Sequence, residues 1–270
     1  MSTTTPPPKP KRRWCRFSLK TLLVVMTLFT VIVACIRWYD SRTIHARENR
    51  ARAAEVTEAV AAIEKLGGTV TSEYKELRPQ TWLEKQFDDP GSGEDPVGVV
   101  KVTSVSLADS EGLEHLRFLT GLQSLNLGFT DVTDFDLAQL TQMTTLVQLN
   151  VRYTQIADGG LGHLKELKRL ESLNLNGTEI SDEGLDRLKE IHSLKALHLN
   201  YTLVTDDGLK HLKKLALQSL SLVGNQITDV GLEHLEKQTV LQRLNLINTE
   251  VSAEGVKKLQ QALPNCQIEH

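Results

Sequence analysis

Leu170–Ser193, LESLNLNGTEISDEGLDRLKEIHS, carries two apolar stripes that it cannot bury by itself. Leu170, Leu173 and Leu175 alternate around Asn174 as in a short strand with one buried face. Ile180 then turns the chain inward, and Ser181 is placed to cap a helix that has Asp182 and Glu183 at the positive end of its dipole. Leu185, Leu188 and Ile191 give the returning segment a stripe of its own. A unit of about 24 residues has no interior for both stripes, so copies of it must stack and share a core.

The copies are present on both sides. The L-x-x-L-x-L start recurs at Val102, Leu122, Leu146, Leu170, Leu194, Leu217 and Leu241, at spacings of 20, 24, 24, 24, 23 and 24 residues. In register with it run Val132, Ile156, Ile180, Val204, Ile227 and Val251, and then Leu137, Leu161, Leu185, Leu209, Leu232 and Val256. A repeat of this length predicts a solenoid over residues 99–270, about seven repeats with a C-terminal cap at Ile268, 24 residues after Leu244. The first copy is short, lacking the T-x-I-T piece between Leu107 and Gly112.

The composite L-x-x-L-x-L-x-x-T-x-I-T/S-D-x-G-L-x-x-L resembles the leucine-rich repeat. The ninth position, often Asn in that family, is Thr at Thr130, Thr154, Thr178, Thr202 and Thr249, with Asn at Asn225. The T/S-D-x-G-L segment is similar to the cysteine-containing subfamily that accompanies F-boxes, and the overall likeness is to bacterial membrane-anchored leucine-rich-repeat proteins. The resemblance implies an α/β horseshoe: parallel strands on the concave face, helices outside, and a ligand taken on the concave face.

Between the inward strand leucines stands an outward residue, giving the column Ser106, Asn126, Asn150, Asn174, His198, Ser221 and Asn245. Just beyond it come Phe129, Arg152, Tyr153, Asn200 and Tyr201. A polar column beside two leucines is also what an inherited repeat leaves at a wet position, so the Asn residues admit both a binding and a bland reading. Phe129, Tyr153 and Tyr201 are more specific, because other copies have Gly177, Gly224 and Asn248 in their slot. Exposed aromatics beside an Arg are the usual composition of binding hot spots. The candidate ligand site is therefore Phe129, Arg152, Tyr153 and Tyr201 with Asn126, Asn150, Asn174, His198 and Asn245.

Before the array, residues 1–20 form a basic, Pro-rich tail for which disorder on the cytoplasmic side is expected. Thr21–Ile36 holds sixteen residues without a charge, and with its flanks from Leu19 to Tyr39 it reaches roughly 30 Å at about 1.5 Å per residue. Residues 21–39 are read as an uncleaved transmembrane signal-anchor; the alternative is a lipoprotein, since Ile32-Val33-Ala34-Cys35 resembles a lipobox. Six Lys and Arg precede the span against Arg37, Arg42, Arg47, Arg50 and Arg52 after it, which places the N-terminus inside and the repeats outside the cytoplasm by a margin of one. Residues 40–66 are expected as an amphipathic connecting helix, either a coiled-coil stalk or a helix leaning on its own domain, stopped by Gly67 and Gly68. Residues 67–98 are expected to cap the solenoid, with Trp82, Leu83 and Phe87 as cover.

Charge and motifs exclude much else. All six cations of the first twenty residues leave 25 Lys and Arg against 34 Asp and Glu in the remainder, which disfavours nucleic acid. The three cysteines, Cys15, Cys35 and Cys266, form neither a disulfide framework nor a zinc spacing. His115, His163, His211 and His234 share one slot, G-L-x-H-L, where other copies have Gln139, Arg187 and Lys258, the interchange of a surface position rather than of metal ligands. Asp134, Asp158, Asp182, Asp206 and Asp229 read as a helix-start column. No nucleophile elbow, zincin, phosphate-loop or dinucleotide motif occurs, and no cofactor is implied. The expected function is noncatalytic binding of a protein or surface polymer. The alternatives are a ubiquitin-ligase-type adaptor, for which residues 40–98 show no F-box-like segment, and an enzyme with an undetected site.

Overall fold

The computed structural model describes residues 19–75 and 99–270. The chain divides into two compact units, Met1–Ala51 and Arg52–His270. A single helix, α1 (Leu19–Lys65), runs through both the 21–39 segment and most of the 40–66 segment. Among the described residues no helix is long and apolar enough to cross a membrane, and the spanning helix expected over 21–39 is not supported. Much of that run, the side chains from Leu19 to Phe29, lies outside the described residues, and beyond it α1 turns polar at Arg37 and Asp40.

Within the larger unit, the end of α1 joins the repeat core. Ala59 and Ile63 are buried in it, with Val56 and Val60 packed alongside. That stripe is thus occupied by the chain's own leucines, which favours the leaning helix over the coiled-coil stalk. Gly67 ends α1 at φ 81°, where its N–H bonds Glu64 O while Gly68 N–H bonds Ile63 O, a close that satisfies the last carbonyls of the helix.

A nine-stranded sheet follows in sequence order. Its strands are β1 (Thr69–Lys75), β2 (Val99–Ser106), β3 (Ser124–Asn126), β4 (Gln148–Asn150), β5 (Ser172–Asn174), β6 (Ala196–His198), β7 (Ser219–Ser221), β8 (Arg243–Asn245) and β9 (Gln267–Glu269). All pairings from β2 onward are parallel, with Leu125, Leu149, Leu173, Leu197, Leu220, Leu244 and Ile268 in one inward column. β1 runs antiparallel to β2 and pairs along its whole length, from Thr69↔Ser106 to Lys75↔Val99, so the first parallel strand is not left as an open edge. Trp82, Leu83 and Phe87, the expected cover, lie outside the described residues.

The return segments begin as short helices: α2 (Asp134–Leu137), α3 (Asp158–Leu161), α4 (Asp182–Leu188), α5 (Asp206–Leu209), α6 (Asp229–Leu232) and α7 (Ala253–Ala262). α2, α3 and α5 run directly into 3-10 turns. Apolar spacing of i, i+3, i+6 suits that geometry, whose period is three residues.

An Asp column stitches these segments together. Each carboxylate accepts a backbone N–H from the residue before the next row's helix: Asp134 from Ala157, Asp158 from Ser181, Asp182 from Thr205, Asp206 from Thr228 and Asp229 from Ser252, at 2.8–2.9 Å. Wherever that residue carries a hydroxyl, it donates to the other carboxylate oxygen at 2.6–2.7 Å. The next row's Gly two positions into the helix makes the room, since a Cβ on Gly184, Gly208, Gly231 or Gly255 would strike the preceding Asp. The short first repeat supplies no such Asp, and there Asp136, standing in the Gly slot, accepts the Thr133 N–H and hydroxyl itself, at 2.9 and 2.8 Å. Bonding to the Ser252 hydroxyl, and then to its N–H, holds the Asp229 carboxyl below the ordinary carboxylate pKa.

The Thr column is equally structural. Thr130, Thr154, Thr178, Thr202 and Thr249 each donate to the carbonyl three residues back at 2.6–2.8 Å, closing the bend after the strand.

Candidate functional site

On either side of the inward leucine each strand presents one side chain to the other face of the sheet, which makes two columns. One contains the expected Asn residues: Asn126, Asn150, Asn174, His198, Ser221, Asn245 and Glu269. The other runs Ser124, Gln148, Ser172, Ala196, Ser219, Arg243 and Gln267. The leucine spacing did not single out this second column. The two columns are uncharged from β3 through β7 and carry Arg243 and Glu269 on β8 and β9.

The Asn column closes turns. Asn126, Asn150, Asn174 and Asn245 each accept, through Oδ1, the N–H two residues on, that of Gly128, Arg152, Asn176 and Ile247, at 3.0–3.1 Å. His198 and Ser221 cannot do this in the same way, and the preceding row does it for them. Asn176 Oδ1 accepts the Asn200 N–H at 2.8 Å, and Asn200 Oδ1 accepts the Val223 N–H at 2.9 Å. Asn176-Gly177-Thr178 and Asn200-Tyr201-Thr202 match the Asn-x-Thr glycosylation sequon, but both Asn side chains are engaged in the fold and Thr178 is buried.

Beyond these turns lies a column in which every row from β3 to β8 has positive φ: Phe129 64°, Tyr153 52°, Gly177 64°, Tyr201 55°, Gly224 71° and Asn248 56°. Gly adopts this conformation freely and Asn tolerates it, whereas an aromatic residue is strained there by about 1–2 kcal/mol. The three aromatics are nonetheless exposed, Phe129 at 63%, Tyr153 at 48% and Tyr201 at 54%.

Their arrangement follows from the bare rows beside them. The Arg152 side chain crosses Gly128, where a Cβ would meet its Cγ at 2.9 Å, and sets its guanidinium 4.7 Å from the centre of the Phe129 ring. Phe129 stacks on Tyr153 at 5.0 Å with the planes 10° apart. Tyr153 in turn lies over Gly177, and Tyr201 over Gly224. Arg152, Phe129 and Tyr153 therefore form one continuous platform, while Tyr201 stands apart from it beyond the Gly177 row.

The remaining candidates fall elsewhere. His211 contacts Asp186 at 3.0 Å and His115 contacts Glu114 at 3.7 Å. Among the described residues no three His, Cys, Asp or Glu are placed to hold a metal ion. Cys266 is a free, buried thiol whose pKa is raised by that burial.

A family model for the Leucine Rich repeat matches residues 142–167, 169–189 and 215–235. Among solved structures, an internalin (inlF) from Listeria monocytogenes is similar at 24% identity and a TM-score of 0.50, over 62% of this chain and 47% of that one. An internalin C2 from the same organism is 20% identical over 62% of this chain and 80% of that one, with a TM-score of 0.48. The likeness is one of fold, and the matched part spans about half the length of the first internalin. No curated protein is matched by the sequence.

Proposed function

From a chain whose repeats match the leucine-rich-repeat model, we propose a noncatalytic binding module that recognises a protein or surface polymer at the edge of its sheet face, through Phe129, Arg152 and Tyr153 with Tyr201. The observation that carries this reading is the strain in the positive-φ column. Six rows share one backbone conformation, and three of them fill it with Gly or Asn, so the fold itself does not call for a ring there. Three aromatics held in that conformation and exposed are a cost to the fold that a bound partner offsets. Stacked rings of this kind lose little side-chain entropy on binding.

The test is capture of partners on the full-length chain, followed by affinity measurements on folded variants. Tyr153→Ala and Tyr201→Ala are each expected to weaken binding by about 1–3 kcal/mol. Lys189→Ala, on the return segment, is expected to leave it unchanged. Silent aromatic variants beside an effective Lys189→Ala would sink the proposal.

The reading includes an N-terminal tether that keeps the repeats outside the cytoplasm. It is supported by the charge-free run Thr21–Ile36 between Trp14 and Trp38, as a spanning segment or, alternatively, as a lipid anchor at Cys35. Extraction of membranes at alkaline pH separates the cases: the intact chain stays in the pellet, and loss of retention in Cys35→Ala alone assigns the tether to lipid. Release of the intact chain would remove the tether from the reading.

A further inference from the structure

At the end of the sheet face a pocket of about 190 Å³ opens among His198, Ser221, Arg243, Asn245 and Glu269. Its position is set by the two breaks in the Asn column. Because Asn176 and Asn200 close the turns of rows β6 and β7 from the preceding row, positions 198 and 221 are released from that duty. The released places hold a His and a Ser, and both line the pocket.

The hydrogen-bonding capacity left over is lopsided. Ser221 Oγ donates to Asn200 Oδ1 at 2.6 Å, and Asn245 Nδ2 donates to Glu269 Oε2 at 2.7 Å, so the one carboxylate in the pocket already has a donor. Neither the His198 imidazole nor the Arg243 guanidinium has a hydrogen-bond or ion-pair partner among the described residues. Burial, and then the Arg243 charge, lower the His198 pKa below its ordinary value, leaving the ring neutral near pH 7 with one N–H to donate. Two donors without a protein partner among the described residues, the half-buried His198 and the exposed Arg243, thus line one pocket.

We propose that this pocket binds a single carboxylate, an acidic side chain or the chain terminus of a protein lying on the sheet face. The Arg243 fork takes the two oxygens together and His198 donates to one of them. Glu269 decides between anions: its charge beside the pocket is tolerable for a monoanion and repels a dianionic phosphate more strongly. The proposal deepens the function given above and rests on the sheet face being the binding surface.

The full-length chain is titrated with sodium acetate at fixed ionic strength while the His198 ring resonances are followed by NMR. The expected result is a saturable shift with a rise in the His198 titration midpoint, since a bound anion favours imidazolium. Arg243→Gln should weaken acetate at least tenfold and Glu269→Gln should tighten it. An unsaturable response that Arg243→Gln leaves unchanged would overturn the site, and tighter saturation by inorganic phosphate than by acetate would overturn the carboxylate assignment. Tyr153→Ala should not alter the acetate titration. Loss of acetate binding by a chain whose partner still depends on Tyr153 therefore counts against the pocket alone.

Discussion

Two columns, both repeated once per row, behave in opposite ways. The Asp–Gly column on the return side is nearly uniform, because every Asp reaches the backbone of the next row and every Gly makes room for the Asp before it. Where the preceding Asp is missing, Asp136 replaces the Gly and the bond is made within the row. The positive-φ column at the edge of the sheet keeps one backbone conformation in every row and yet holds Phe, Tyr, Gly, Tyr, Gly and Asn. Rows of one chain act as controls for one another. A residue that stays fixed while its contacts repeat is explained by the fold, and a residue that varies while the backbone stays fixed is not.

The largest effect expected from breaking a fixed position belongs to the inward leucines. Leu173 is fully buried between Leu149 and Leu197. Leu173→Ala should lower unfolding stability by about 2–5 kcal/mol in denaturant titration, from lost burial and the cavity left behind. A loss under about 1 kcal/mol would show that uniform rows do not share one core.

A smaller and more pointed effect belongs to the stitching. Asp182→Ala leaves the Thr205 N–H and hydroxyl without their acceptor and should cost about 1–3 kcal/mol. Gly208→Ala alone drives a methyl into the same carboxylate and should also destabilise. Together they should be far less than additive. Once the carboxylate is gone the nearest atom to the methyl is the end of the Leu185 side chain, at 3.2 Å, and part of the helix preference of Ala over Gly, about 1 kcal/mol, is recovered. Additive losses in a double-mutant cycle would mean that Gly208 is not there to accommodate Asp182.

This contrast also explains how much could be read from the chain in advance. The repeat, its register and the inward leucines were legible because burial writes a local period. So was the stop of α1 at Gly67 and Gly68, since a left-handed close favours Gly. The Asp column was visible as a helix start and no more, because its partner lies 22–23 residues away. The same distance hid the substitution of Asn176 for an Asn at 198, which is understood only when two rows are set side by side. For the aromatics the reverse holds. Their departure from the repeat was visible, but the strain that makes it informative is a property of the backbone. Arg243 carries no such signal, because the second outward column in which it stands varies from row to row without a pattern.

The smallest expected effect is the one that separates the two columns most cleanly. Tyr201 lies over Gly224 at φ 55° and is half exposed, so its ring contributes contacts to the fold while its backbone is strained. Tyr201→Asn places there the residue that Asn248 already holds in the same conformation. Loss of the ring contact and relief of about 1 kcal/mol of backbone strain then oppose each other, and unfolding stability should move by less than about 0.5 kcal/mol. Binding, if the ring is present for a partner, should fall as it does in Tyr201→Ala. A variant that loses stability like Asp182→Ala would place Tyr201 with the fixed column, as a ring the solenoid needs, and would take it out of the binding surface.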